Sequence, residues 1–253
     1  MIPVSNGEII LITGVNGYIG SVLGMLVLSK GYSLRGTSRA KSSTQPLLEG
    51  PYAPYIDRVE IYEVPDITVN GAFDDAVKGE ALSAISKVHS TYIPGVHGIF
   101  HTVSPVDFSL RTWGTVVEPA IRGNATLFES AAAHAGPQLQ SIVVTSSGQA
   151  MLSPDPPGGY VFTEADQNTW AADLAKTMTS EFPEEKAGLV MYSASKAAAD
   201  QAMWRFREEK KVKLFAGISY AWRAHRVHIH TAILRDVEHT SSDRYWSASL
   251  PSS

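Results

Sequence analysis

The chain has 253 residues, a formal net charge of -4 and no cysteine. That balance offers no basic field for nucleic acid, no polybasic run for a membrane surface, no disulfide framework and no thiolate metal site. One main domain with small-molecule partners in a reducing compartment is the expectation.

In chain order, residues 1–8 lack the basic start and cleavage site of a leader, and no apolar run reaches membrane-span length. A cytoplasmic protein is therefore expected. The first strong signal is the apolar run Ile9 to Thr13, followed by Gly14, Gly17 and Gly20 at three-residue spacing and then a helical pattern. It reads as strand, phosphate loop and helix. Gly14 makes the tight turn, Gly17 lets a pyrophosphate approach the backbone, and Gly20 lets the helix pack closely. The helix N-terminus favours an anion, so a dinucleotide suits the site. A glycine-rich turn without a ligand is the alternative.

Val22, Leu23, Leu26 and Val27 carry the first crossover helix, which Gly31 ends. A second strand spans 32–37. Past its end stand Arg39 and Lys41 rather than an acid. A carboxylate there would accept from the ribose hydroxyl of NAD, whereas cations suit the 2′-phosphate of NADP; the alternative is a solvated basic loop. Residues 42–57 read as a loop and 59–64 as a third strand. Asp66 follows, placed either to accept from an adenine amine or to cap a helix. A short helix around Phe73, Ala76 and Val77 ends at Gly79. The fourth strand is 96–103, a helix presents Ala120, Leu127, Ala131 and Ala132, and the fifth strand is 141–145, running into Ser146 and Ser147. Strands alternating with helices predict an α/β, Rossmann-type doubly wound parallel sheet. After a Pro/Gly-rich loop at 152–160 come a polar helical segment and a long helix bearing Tyr192 and Lys196.

Tyr192 and Lys196 stand four residues apart and share one helix face. A tyrosine ordinarily titrates near pH 10, too high for acid–base work at neutrality, and an adjacent ammonium lowers that value. Lys196 is placed to be that ammonium. A serine at a neighbouring strand end can hold a substrate oxygen; Ser147 is placed for it, ahead of Ser146. Together these groups form a carbonyl-reduction site. A Tyr/Lys pair that only supports the helix is the plainer alternative.

The glycine turn, Arg39, Asp66, the strand end from His101 to Pro105, Ser146-Ser147 and Tyr192-x-x-x-Lys196 together resemble an extended short-chain dehydrogenase/reductase. The nearest look is to the dihydroflavonol reductase, cinnamoyl-CoA reductase and fungal aldehyde reductase branch of the epimerase/dehydratase superfamily. The likeness covers residues 5–211. It implies NADPH as hydride donor, Tyr192 as general acid, Ser147 polarising the carbonyl, and Lys196 serving both Tyr192 and the nicotinamide ribose. It further implies cofactor contacts from Thr13, Gly14, Asn16, Gly17, Tyr18, Ile19, Gly20, Arg39, Lys41, Asp66, Ile67, Thr102 and Val103. A homodimer through the helices near 116–135 and 188–210 follows by the same analogy. Two other readings stay open: an NAD-dependent sugar-nucleotide epimerase or dehydratase, against which Arg39 and Lys41 argue, and a catalytically silent dinucleotide-binding protein.

Two stretches depart from that pattern. Residues 80–94 look inserted. From about Val212 the chain lacks the family's sixth strand with its Asn-Pro end and the C-terminal substrate domain, which is missing or replaced. The expected division is a dinucleotide-binding domain over 1–211 and a divergent tail over 212–253. In that tail Val212, Leu214, Ala216 and Ile218 either supply a substitute strand or, with 80–94, are translated intron sequence. His225, His228, His230 and His239 are read as incidental, and no metal is expected.

Overall fold

The computed structural model describes residues 4–78, 95–105, 107, 109–163, 165–179, 181–210 and 215–218. Six parallel strands form one sheet in the order β3-β2-β1-β4-β5-β6. They are β1 Ile9–Thr13, β2 Ser33–Ser38, β3 Val59–Glu63, β4 Gly98–His101, β5 Ser141–Thr145 and β6 Phe215–Ile218. The helices are α1 Tyr18–Ser29, α2 Gln45–Glu49, α3 Asp74–Lys78, α4 Trp113–His134, α5 Thr169–Thr177 and α6 Glu184–Lys210. The order reverses at β1, so the carboxyl ends of β1 and β4 border the crevice where such sheets bind ligands.

β1 is apolar throughout because both of its faces are covered. Leu11 packs with Phe73, Ile99, Leu127, Phe128, Ile142 and Met203 on one face. Ile10 and Ile12 pack with Val15, Leu23, Val27, Leu34, Tyr52 and Phe100 on the other. Alternate side chains of one strand thus serve two cores. A third cluster joins Val116 and Val117 of α4, Ala171 and Ala175 of α5, and Met191 and Ala194 of α6. It seats α6 beside the carboxyl ends of β4 and β5.

Several expected boundaries shift. β4 ends at His101 rather than at residue 103, because the Thr102 and Val103 amides turn to Thr13 Oγ1 instead of continuing the ladder. Residues 42–57 are not a plain loop: 3-10 turns at Lys41–Thr44 and Ala53–Arg58 flank α2, with Pro46 and Pro54 in opening positions where a missing N–H costs nothing. This segment inserts Tyr52, whose hydroxyl donates to the Ser21 carbonyl at 2.9 Å. Gly24 makes the room, since a side chain there would meet the Tyr52 hydroxyl.

β6 pairs with β5 from Ile142↔Phe215 to Thr145↔Ile218, so part of the 212–218 run does form a sixth strand. Residues 80–94, Val212, Leu214 and the four tail histidines lie outside the described residues. Among the described residues no helix is long and apolar enough to cross a membrane.

Candidate functional site

The glycine turn has the geometry its spacing predicts. Gly14 adopts a φ of 66°, open to glycine at no steric cost. Gly17 is the N-cap of α1, and its N–H donates to the Gly14 carbonyl at 2.9 Å. A side chain on Gly20 would collide with that carbonyl and lie 3.0 Å from Val15 Cα. No side chain caps α1 and no acid occupies its first turn, so its N-terminal amides face the crevice end of the sheet uncancelled. Tyr18 is exposed, Ile19 half-buried, and Asn16 donates to Ser43 Oγ at 3.0 Å, tying the turn to the segment after β2.

Thr13 is the hub beneath this turn. It is wholly buried, and its Oγ1 accepts from the amides of Thr102 at 3.1 Å and Val103 at 3.4 Å. Both hydroxyl lone pairs are then engaged, so the hydroxyl proton points at His101 Nδ1, 2.9 Å away. This assigns the imidazole proton to Nε2. Burial, with the Lys196 charge second, lowers the His101 pKa to about 3, and the nearby Asn124 side chain opposes the shift. Nε2 itself has no partner at hydrogen-bond geometry. Thr102 Oγ1 donates to the Thr13 carbonyl at 2.6 Å, and Val103 Cβ lies 3.2 Å from where a Gly14 side chain would begin. The predicted cofactor residues Thr13, Gly14, Thr102 and Val103 therefore form one wall.

Arg39 and Lys41 are exposed just past β2. The Lys41 backbone N–H donates to Glu63 Oε2 at 2.9 Å, which fixes the backbone and leaves its ammonium on the surface. Asp66 is exposed and caps no helix, since α3 begins only at Asp74. Its Oδ1 accepts from the Thr68 amide at 2.8 Å and the Thr68 hydroxyl at 2.7 Å, and these bonds hold its carboxyl below the usual range. Ile67 follows, its carbonyl accepting from Thr126 Oγ1 at 2.5 Å.

Ser147 ends the β5 segment as the N-cap of the 3-10 turn Gly148–Ala150, accepting from the Gln149 amide at 3.2 Å. Gln149, which the sequence reading did not single out, is the connector. Its side-chain oxygen accepts from Ser193 Oγ at 3.0 Å, and its carbonyl accepts from Asn168 Nδ2 at 3.0 Å. Asn168 in turn caps α5 through the Ala171 amide at 3.0 Å. The turn that presents Ser147 is thereby tied to α6 one residue from Tyr192. The only trace in the sequence is that Gln149 and Ser193 adjoin the predicted pair.

On α6, Lys196 is 9% exposed and its Nζ lies 5.9 Å from the Tyr192 ring centroid. Burial lowers the Lys196 pKa to about 8, so at neutrality it remains a cation largely shielded from water. Tyr192 is half-buried. Lys196 lines one recess with Val103 and Ser146, and the Gln149–Ser193 bond ties the Ser147 turn to the helix that carries Tyr192 and Lys196. A dinucleotide fits these residues: the bare turn, the uncapped helix and the cations past β2 each suit a phosphate.

The chain is 35% identical over 206 residues to Aldehyde reductase 2 of Sporidiobolus salmonicolor, covering 81% of this chain and 54% of that protein. It is 29% identical over 218 residues to a protein of Candida albicans assigned as an NADPH-dependent methylglyoxal reductase, covering 82% and 55%. A solved reductase, engineered from its structure to attenuate substrate inhibition, superposes with a TM-score of 0.67 at 28% identity, covering 84% of this chain and 57% of that one. The chain thus spans about half the length of the curated relatives it matches. The family model for NAD dependent epimerases and dehydratases matches residues 10–235, and on that match the chain belongs to the NAD dependent epimerase/dehydratase family.

Proposed function

We propose that this chain is an NADPH-dependent oxidoreductase that reduces a ketone or aldehyde of a small organic substrate, with Tyr192 as general acid. The observation that carries the reading is the Gln149–Ser193 link, which holds the Ser147 turn against the helix bearing Tyr192 and Lys196. When bound, NADPH supplies a hydride to the carbonyl carbon. Ser147 donates a hydrogen bond to the carbonyl oxygen, favouring the negative charge that develops there. Tyr192 delivers its phenolic proton to that oxygen, and the Lys196 ammonium stabilises the phenolate left behind.

For the cofactor, Thr13, Gly14, Asn16, Gly17, Tyr18, Ile19 and Gly20 supply the pyrophosphate turn, and Arg39 and Lys41 the 2′-phosphate contacts. Asp66 and Ile67 flank the adenine, Thr102 and Val103 line the cofactor, and Lys196 takes the nicotinamide ribose. The relatives support NADPH: the Candida albicans protein is assigned as dependent on it. Residues 1–211 are read as the dinucleotide-binding domain, and 212–253 as a divergent tail whose strand β6 extends the sheet. A cytoplasmic location and pairing of two copies through α4 and α6 belong to the same reading.

The test is a fluorescence titration of the purified chain with NADPH and NADH, followed by NADPH oxidation across a panel of aldehydes and ketones. NADPH-selective binding with turnover is the expected result. Selective binding without turnover would favour a silent dinucleotide-binding protein, and binding of neither nucleotide would overturn the cofactor assignment.

A further inference from the structure

Asn168 and Gln149 hold the Ser147 turn in different ways. The buried Asn168 bonds only to backbone: its Nδ2 donates to the Gln149 carbonyl, its N–H donates to the Ala150 carbonyl at 2.8 Å, and its Oδ1 accepts from the Ala171 amide. These bonds fix the path of the turn and cap α5, so Asn168 serves the fold. The Gln149 side chain instead leaves its own segment and reaches α6, where it meets Ser193 across 44 residues of sequence. Its backbone N–H meanwhile donates to Ser147 Oγ at 3.2 Å. One residue thus touches both the candidate donor hydroxyl and the helix that carries Tyr192.

The fold can lose the side-chain bond. The buried Ser193 hydroxyl also stands 2.8 Å from the Leu189 carbonyl, one helical turn back. A hydroxyl has a single proton, so the two acceptors share it, and Leu189 alone satisfies the group once Gln149 lets go. The bond to Gln149 therefore adds little to stability, yet it joins the two elements whose separation the reaction requires. The Gln149 amide acts differently. An N–H facing Ser147 Oγ occupies a lone pair there and turns the hydroxyl proton elsewhere, which leaves the oxygen oriented as a donor.

We propose that Gln149 is a positioning residue: its amide orients the Ser147 hydroxyl, and its side chain, through Ser193, sets the distance from Ser147 to Tyr192 so that both reach one carbonyl oxygen. The inference rests on the carbonyl-reductase reading above. A donor favours the charge developing on that oxygen only through a short, aligned contact, so loosening the turn weakens the effect without removing the hydroxyl. Gln149 touches neither nucleotide nor substrate in this role, and its loss acts on kcat.

The experiment compares Gln149→Met, which keeps the side-chain length and removes its hydrogen bond, with Ser193→Ala and with the double variant. With active sites counted by NADPH titration, each single variant should lower kcat about tenfold and leave KM and NADPH affinity within about twofold, since outright removal of such a donor costs roughly a hundredfold or more. The double variant should lose the same factor of about ten, because both substitutions break one bond. Amide hydrogen exchange without nucleotide supplies the second readout. The Ala150 and Met151 amides, which close the turn on the Ser147 and Gly148 carbonyls, should exchange about tenfold faster in each variant, while Val143 and Val144 of β5 keep their rates. Gln149→Glu retains an acceptor for Ser193 and should exchange as the unsubstituted chain does. Unchanged kcat in the folded single variants, losses that multiply in the double variant, or turn amides whose exchange ignores the substitutions each overturn the proposal. A chain that reduces no carbonyl would refute the proposed function, and the exchange comparison would still decide whether Gln149 holds the Ser147 turn.

Discussion

Thr13 at the end of β1 and His101 at the end of β4 are joined side chain to side chain at 2.9 Å, across 88 residues of sequence. This bond closes the two strands whose carboxyl ends border the crevice. It also requires His101 to be neutral at Nδ1, because that nitrogen is the acceptor.

A pH dependence of stability follows. The folded pKa of about 3 lies below the ordinary histidine value of 6.5, so the unfolded chain binds the extra proton first. The contribution is complete above about pH 6.5 and is lost as pH falls toward 3. At pH 5 the loss is about 2 kcal/mol relative to pH 7. Urea unfolding at the two pH values should show it, and His101→Asn should flatten that part of the slope; an equal slope in the variant would assign the acid sensitivity elsewhere.

Lys196 carries a cost of the same kind. Its folded pKa of about 8 is below the ordinary 10.5, so its contribution is complete only above about pH 10.5 and is lost as pH falls through 8. At pH 7 the buried ammonium costs about 3 kcal/mol. Lys196→Met should therefore raise the unfolding free energy at neutrality by about that amount while removing the proposed reductase activity. A less stable variant would mean that unseen partners already compensate the charge.

Tyr192→Phe removes a proton donor and almost no volume. NADPH affinity should stay within about twofold and kcat should fall about a thousandfold, in the range of a general acid's contribution. Steady-state kinetics beside a binding titration checks both; substantial residual turnover would take Tyr192 out of its role.

Arg39→Ala should weaken NADPH about thirtyfold, matching the roughly 2 kcal/mol of a hydrogen bond to a charged group, and leave NADH nearly unchanged. Parallel titrations decide it. Equal losses for the two nucleotides would show that Arg39 does not read the 2′-phosphate.

Gly20→Ala places a methyl group against the Gly14 carbonyl within the phosphate turn. Backbone must move, so the thermal midpoint should drop by the equivalent of about 2 kcal/mol and nucleotide affinity at least tenfold. Wild-type affinity in a folded variant would show that the turn does not hold the pyrophosphate.

Much of this was readable before folding. The apolar runs 9–13 and 141–145 became β1 and β5 with the expected bounds, because central parallel strands buried on both faces need continuous apolar sequence. The glycine spacing and the Tyr192/Lys196 spacing are likewise local geometry, set by one turn and one helix. What single-sequence reasoning misplaced depended on distant partners. β4 stops early because Thr13 captures its next two amides, and residues 42–57 wind into short helices around Tyr52, which needs the gap at Gly24.

The sequence by itself determined the doubly wound class, the phosphate turn and the identity of the candidate catalytic groups, since each rests on periodicity or on spacings under about ten residues. Only the tertiary structure decided how those groups are held: the Thr13–His101 closure and the Gln149–Ser193 tie beneath Ser147. It also decided that Arg35, a charge in the middle of β2, is buried with its Nε donating to Glu60 Oε2 on β3 at 3.1 Å. The physical reason is common to all three. Hydrogen bonds and desolvation act through space, and their energies are set by what the fold brings within a few ångströms rather than by position along the chain.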